Sequence, residues 1–194
     1  MRRILRRGFS KLWRCKAVPS TMLMAWRVLE NKLATRVNLS IRGVQIERSR
    51  SVLCGKEEES CSHLFFGCSF AWRVWCLCYR WLGVLFVSHI EPRFNFDQFR
   101  LNLPSESVLI VWNTIWVRVV SEIWSHSNHI ILKRGVADGS EVFALVQVKV
   151  WSWVSTNSRL VSFSFSNWCL EPMECMRLVS WSLYRFSKGK VLFS

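Results

Sequence analysis

Three residues in the stretch SVLCGKEEESCSHLFFGC, positions 51–68, have the chemistry of metal ligands: Cys54, His63 and Cys68. Two thiolates and an imidazole are the donor set of a tetrahedral zinc site, which takes four such ligands. A C-x2-C pair would place its first cysteine three residues before Cys54, and Ser51 stands there. A serine hydroxyl is a poor zinc ligand at neutral pH. Cys61 is the one nearby substitute, but it lies two residues from His63 and could reach the site only by folding the loop back. Three readings remain open on these residues: a zinc knuckle, a knuckle that lacks a ligand, or a cysteine-rich helix start in which the thiols are small buried hydrophobes.

Other chemistry finds little to work with. Two-metal phosphoryl chemistry needs clustered carboxylates. The chain has two Asp, Asp97 and Asp138, far apart in sequence, and Asp138 reads as a helix cap. There is no G-x-x-x-x-G-K-[ST] loop, no H-x-E with a C-x-x-C partner and no G-x-S-x-G elbow. His126 and His129 are three apart on a helical run, a pair more often found on a helix surface than on a metal. The expectation is a protein that is not an enzyme.

The elements that position these residues follow from hydrophobic spacing. Met22, Trp26, Leu29, Leu33 and Val37 recur helically, so 20–42 is one bent helix or a helical pair closed by Gly43. Ser69 can cap a helix over 69–82, with Phe70, Val74, Leu77, Cys78 and Trp81 on its apolar side and Gly83 at its end. Ser107 opens a long helix to about 134. Asp138 and Glu141 have the form of a capping box ahead of a helix over 139–155, making a helical hairpin of the two. Residues 88–106, with Pro92 and Pro104, read as a linker, and 156–194 as a poorly ordered tail or a short strand in LVSFSFSNW. The fold class is therefore mostly α: a small zinc-knuckle-like helical domain over 9–87, the linker 88–106, the hairpin 107–155 and the tail 156–194.

Charge and composition narrow the partner. At 194 residues with 51% apolar content, twelve Trp and thirteen Phe, the chain has ample core material. The longest run free of Asp, Glu, Lys and Arg is residues 60–72, short of the roughly 20 residues a membrane helix needs. The eight cysteines follow no usable signal peptide and read as reduced, intracellular thiols, in nucleus or cytoplasm. The net charge is +14, and residues 1–53 hold 13 Lys/Arg against Glu30 and Glu47. That asymmetry points to a polyanion, RNA or DNA, contacted through Arg2, Arg3, Arg6, Arg7, Lys11, Arg14 and Lys16. Phe9 and Trp13 are placed to stack on bases or to join a core. Two plainer readings are a solvated basic face and a mitochondrial transit peptide, the latter because residues 1–29 carry eight basic residues and no acid.

The series LWRCKAVPSTMLMAWRVLENKLATRVNLSIRGV, followed by CGKEEESCSHLFFGCSFAWRVW, resembles the zinc-binding domain that follows the reverse transcriptase in plant LINE-type (non-LTR) retroelements. The marks are the tryptophan before the proline, AWR-x-L, T-x-x-NL-x-x-RG, HLF-x-x-C and A-x-x-VW. WNTIWVRVVSEIWSHSNHIILKRG, DGSEVFALVQVKVWSWV and CLEP near Cys169 resemble the helical continuation of such copies, bringing the likeness to about residues 9–176. The resemblance implies a zinc site of a C-x2-C pair, a histidine and a last cysteine, carried here by Cys54, His63 and Cys68 with Ser51 at the missing corner. It implies a non-catalytic, nucleic-acid-binding module. The alternative is a translated retroelement remnant with no selected activity and a degenerate zinc site.

Overall fold

The computed structural model describes residues 11–15, 17–85, 87–100, 105–133, 135–158 and 163–179. Pro19, whose fixed φ suits the first helical turn, opens α1 (Pro19–Leu29). Asn31 then takes a left-handed φ of 51° and stops it. Thr35 restarts the chain as α2 (Arg36–Ile41), its hydroxyl accepting from the Asn38 backbone N–H at 3.4 Å. The segment 20–42 is thus a helical pair.

A π-helical turn, His63–Gly67, leads into α3 (Ser69–Trp81). The N-cap of α3 is Cys68 and not Ser69. Then come α4 (Pro92–Gln98), α5 (Glu106–Lys133), α6 (Gly139–Asn157), α7 (Phe165–Leu170) and α8 (Pro172–Leu178). The described residues form no strand, only an isolated antiparallel bridge between Arg50 and Glu58.

α5 is the axis of the core. It is long and apolar enough to cross a membrane, but 72% of that apolar window is buried inside the fold. It packs on α6, α1, α8, α3 and the π-helical turn. Residues 135–138 bring α6 back antiparallel, and Lys149 Nζ on α6 meets Glu122 Oε2 on α5 at 2.7 Å. Asp138 caps α6 as expected, its carboxylate accepting from the N–H groups of Ser140 and Glu141. Only half of the expected capping box forms. The Asp138 backbone N–H, which Glu141 would take, donates to His126 Nε2 at 3.1 Å. His126 is accordingly buried, stacked on Phe70 with ring centroids 5.5 Å apart, while His129 is exposed. The pair does not face one ligand.

The stretch read as a linker differs most from expectation. α4 lies within 88–106, and Phe96 and Phe99 are completely buried. Asn95, also fully buried, accepts from Trp116 Nε1 at 2.8 Å and donates to Ser88 Oγ and the His89 carbonyl. A chain of aromatic contacts then joins Trp116, Phe66, Trp75, Phe99 and Trp112 with centroids 4.8–6.1 Å apart. One hydrophobic cluster runs from Leu12 to Val179. Within 156–194, Phe165–Leu170 and Pro172–Leu178 are helical, and of the LVSFSFSNW stretch the described residues, 163–168, lead into and form α7 with no strand, residues 160–162 lying outside the described residues. Trp168 is fully buried there, its Nε1 donating to the Gln147 carbonyl at 3.0 Å. Residues 180–194 lie outside the described residues.

Candidate metal centre

The loop that carries Cys54 is a short hairpin built from backbone hydrogen bonds. Glu59 N–H donates to the Ser49 carbonyl at 2.9 Å and Ser51 N–H to the Glu57 carbonyl at 2.8 Å, on either side of the Arg50–Glu58 bridge. Gly55, at φ +67°, then lets the chain turn sharply beside Cys54 and donate its N–H to the Ser51 carbonyl at 2.8 Å. Cys54 is thereby held at the tip, half-buried.

The other two side chains are brought in by the π-helical turn. His63 and Cys68 are five residues apart, which in an α-helix would put them roughly 140° apart around the axis. The wider turn, closed by the Cys68 N–H donating to the His63 carbonyl at 2.7 Å, brings them to one side. Ser60 starts this segment, its hydroxyl accepting from the His63 N–H at 3.1 Å.

Cys54 Sγ, His63 Nε2 and Cys68 Sγ lie within 4.8 Å of one another, and the Cys54–His63 pair is 3.2 Å apart. Zinc bonds of about 2.0–2.3 Å in a tetrahedron need ligand atoms roughly 3.3–3.8 Å apart, so these three fit the ion with little movement. With Nε2 facing the sulfurs, the ring proton belongs on Nδ1. That atom is buried without an aligned hydrogen-bond partner, and Glu57 Oε2 stands 3.1 Å from it at the exposed rim. A carboxylate there is the usual outer partner of a metal-bound histidine.

The two thiols differ in their electrostatics. Burial works against the Cys54 thiolate, but the Glu57 and Lys56 backbone N–H groups, with His63 and Cys68, outweigh it and lower the thiol to about 7. Cys68 is raised to about 11, first by burial and also by Cys54, although the N–H groups of Phe70 and Ala71 at the start of α3 favour its anion. A cation shared by both sulfurs removes that mutual repulsion.

Ser51 is fully buried, and its hydroxyl accepts from the Leu53 N–H at 3.3 Å within the turn. Cys61 does not join the cluster. Its sulfur accepts from Asn38 Nδ2 at 3.8 Å, and burial raises its thiol to about 11, so it belongs to the packing of α2. The three acidic residues of the loop are not all solvated. Glu57 and Glu58 are exposed, but Glu59 is buried, 3.8 Å from the Arg36 guanidinium, and burial raises its carboxyl.

Of the basic residues assigned to nucleic acid, Arg2, Arg3, Arg6, Arg7 and Lys16 lie outside the described residues, and Arg14 is exposed. Lys11 is a correction. It is buried, donates to the carbonyls of Phe96 and Phe99, and sits 4.2 Å from the centre of the Phe96 ring. Burial, with Arg100 nearby, lowers its ammonium to about 7. Its partners are 85 and 88 residues away, so no local pattern signals them.

Residues 2–75 match the family model described as zinc-binding in reverse transcriptase, a span that includes Cys54, His63 and Cys68. Comparison with curated proteins and with solved structures gives no match.

Proposed function

Starting from a reverse-transcriptase zinc-binding domain in residues 2–75, we propose that the chain is a non-catalytic, retroelement-derived module that contacts RNA or DNA through its basic N-terminal region. The observation that carries this reading is the convergence of Cys54, His63 and Cys68 inside the matched span. These three residues would hold a zinc ion, whose role is to pin the hairpin tip to the start of α3. Cys54 brings the tip, Cys68 the helix, and His63 the turn between them. Asp97, paired with Arg100 at 2.6 Å, and Asp138, capping α6, serve separate structural ends, which supports a binding role over phosphoryl chemistry. All eight cysteines are free, in keeping with a reducing compartment.

The test is nucleic-acid affinity as a function of salt. Each phosphate neutralised contributes about 0.9 to the slope of log affinity against log salt on B-form DNA. Replacing Arg2, Arg3, Arg6 and Arg7 with Gln should flatten the slope by up to about 3.6. An unchanged slope rules out this N-terminal surface. Substitution is cleaner than truncation to residue 16, which would remove the fully buried Leu12 from the core.

Ser51 at the fourth corner favours a second reading, a translated remnant with a degenerate site. It expects little or no stable protein in the native host and no zinc on the protein isolated from it.

A further inference from the structure

We propose that the groove between α2 and the metal hairpin is a second nucleic-acid contact, taking the phosphodiester backbone of a single strand on Arg48 and Arg50, with Arg36 fixing the frame that carries them. This deepens the nucleic-acid reading above and rests on it. Between Lys32 and Lys56 the chain has six Lys/Arg and one acid, Glu47. An open cavity of about 510 Å³ collects Arg36, Arg48 and Arg50 on its lining, with Glu47 as the acid among them. Ser51 and Gly55 of the metal turn line the same cavity.

The arginines are mounted on a fixed frame. Arg36 is largely buried, 3.8 Å from Glu59, and its Nη1 donates to the Arg48 carbonyl at 2.6 Å, tying the first residue of α2 to the hairpin. Arg50 sits in the bridge to Glu58. Arg48 and Arg50 are exposed and have no ion-pair partner among the described residues. A guanidinium fork positioned this way matches phosphate oxygens in pairs.

An adjoining cavity of about 680 Å³ shares Ser49 and Arg50 and continues past Lys56, Glu57, Glu58 and Ser60. Its charges balance, so it offers donors and acceptors in place of net positive potential. That suits base edges, while the arginine end suits backbone. Unpaired bases present such edges, which selects a single strand over a duplex.

The experiment uses the full chain, fluorescein-labelled 20-nucleotide RNA of mixed sequence, and the same sequence as duplex DNA, with affinity measured across a salt series. Arg48→Gln/Arg50→Gln removes two exposed charges from the groove. Arg73→Gln/Arg80→Gln removes two exposed charges from α3 and serves as the control. The expected result is tighter binding of RNA than of duplex, a slope lowered by about 1.4 in the groove variant at about 0.7 per phosphate of a single strand, and no such loss in the control. Equal loss in groove and control variants overturns the proposal, as does preference for the duplex. If the groove variant binds like the parent while the N-terminal arginine variant does not, the groove is overturned and the N-terminal reading stands. If the parent chain binds neither probe, both fall.

Discussion

The metal hairpin and the helical core are held by different forces. Around α3, α5 and α6 the stabilising groups are apolar and aromatic: Trp75, Trp112, Trp116 and Trp168 are all fully buried, with indole N–H groups of three of them satisfied by carbonyl or amide oxygens. Between Ser49 and Cys68 the buried groups include Ser51, Glu59 and His63, held by backbone bonds and one ion pair. Burial of apolar area strengthens the first region whatever the metal content of the solution. The second has fewer such groups, so if Cys54, His63 and Cys68 hold zinc as proposed, its stability should rise with the metal. Core and loop should therefore respond to different perturbations.

The largest effect is expected in the core. Trp116→Ala removes a fully buried side chain, its bond to Asn95, its stacking on Phe66 and its tilted contact with Phe96, and should cost about 3–5 kcal/mol in denaturant unfolding. The cost should be the same with zinc and with chelator. A loss under about 1 kcal/mol, or one that vanishes without metal, would erase the distinction between the regions.

Ser51→Cys should act on the loop alone. Supplying a third thiolate as the fourth ligand should tighten zinc binding at least tenfold in a titration with a chromophoric chelator, and at 100 times Kd the metal should add about 2.7 kcal/mol of stability. Adding His63→Ala should cancel the gain. Should the parent protein hold one zinc as tightly as Ser51→Cys, another group completes the site.

The pH dependence sharpens the comparison through Lys11. Its folded pKa, lowered from 10.5 to about 7, leaves the unfolded chain holding more protons between those values, so stability should rise as pH increases from 7. Cys15 opposes this from pH 9 upward. Its thiol is raised by burial from 9.0 to about 12, and the stability this contributes is present below 9 and lost as pH climbs toward 12. Between pH 7 and 9 the Lys11 gain should reach at most about 2 kcal/mol, read from urea midpoints. Lys11→Met should flatten that rise. An identical slope in both proteins would place the lysine's charge elsewhere.

The smallest effect is a cap. Asp138→Ala should cost about 1 kcal/mol in thermal unfolding, independent of zinc, because its carboxylate satisfies two N–H groups of α6. A zinc-dependent cost would tie the hairpin turn to the metal loop.

The contrast also explains what could be read from residue order. α3, α5 and α6 repeat apolar side chains at helical spacing and carry local caps, so their limits were within a few residues. α4 was not visible because its seven residues, opened by Pro92, are shorter than a recognisable period, and its value lies in Phe96, Phe99 and Asn95 meeting α3 and α5. Cys54, His63 and Cys68 announce themselves by type and spacing. The roles of Cys61, Glu59 and Lys11 depend on partners 23 to 88 residues away, where type and spacing say nothing.

The π-helical turn makes chain length, more than side-chain identity, the sensitive variable between His63 and Cys68. A residue removed from 63–67 would turn Cys68 and all of α3 by about 100° about the helix axis, taking a ligand from the cluster and Trp75 from its place against Phe66. Conservative replacements of Leu64 or Phe65 leave that phase intact. The segment behaves as a ruler: its count of five sets where the metal ligand lies and which way the core helix faces.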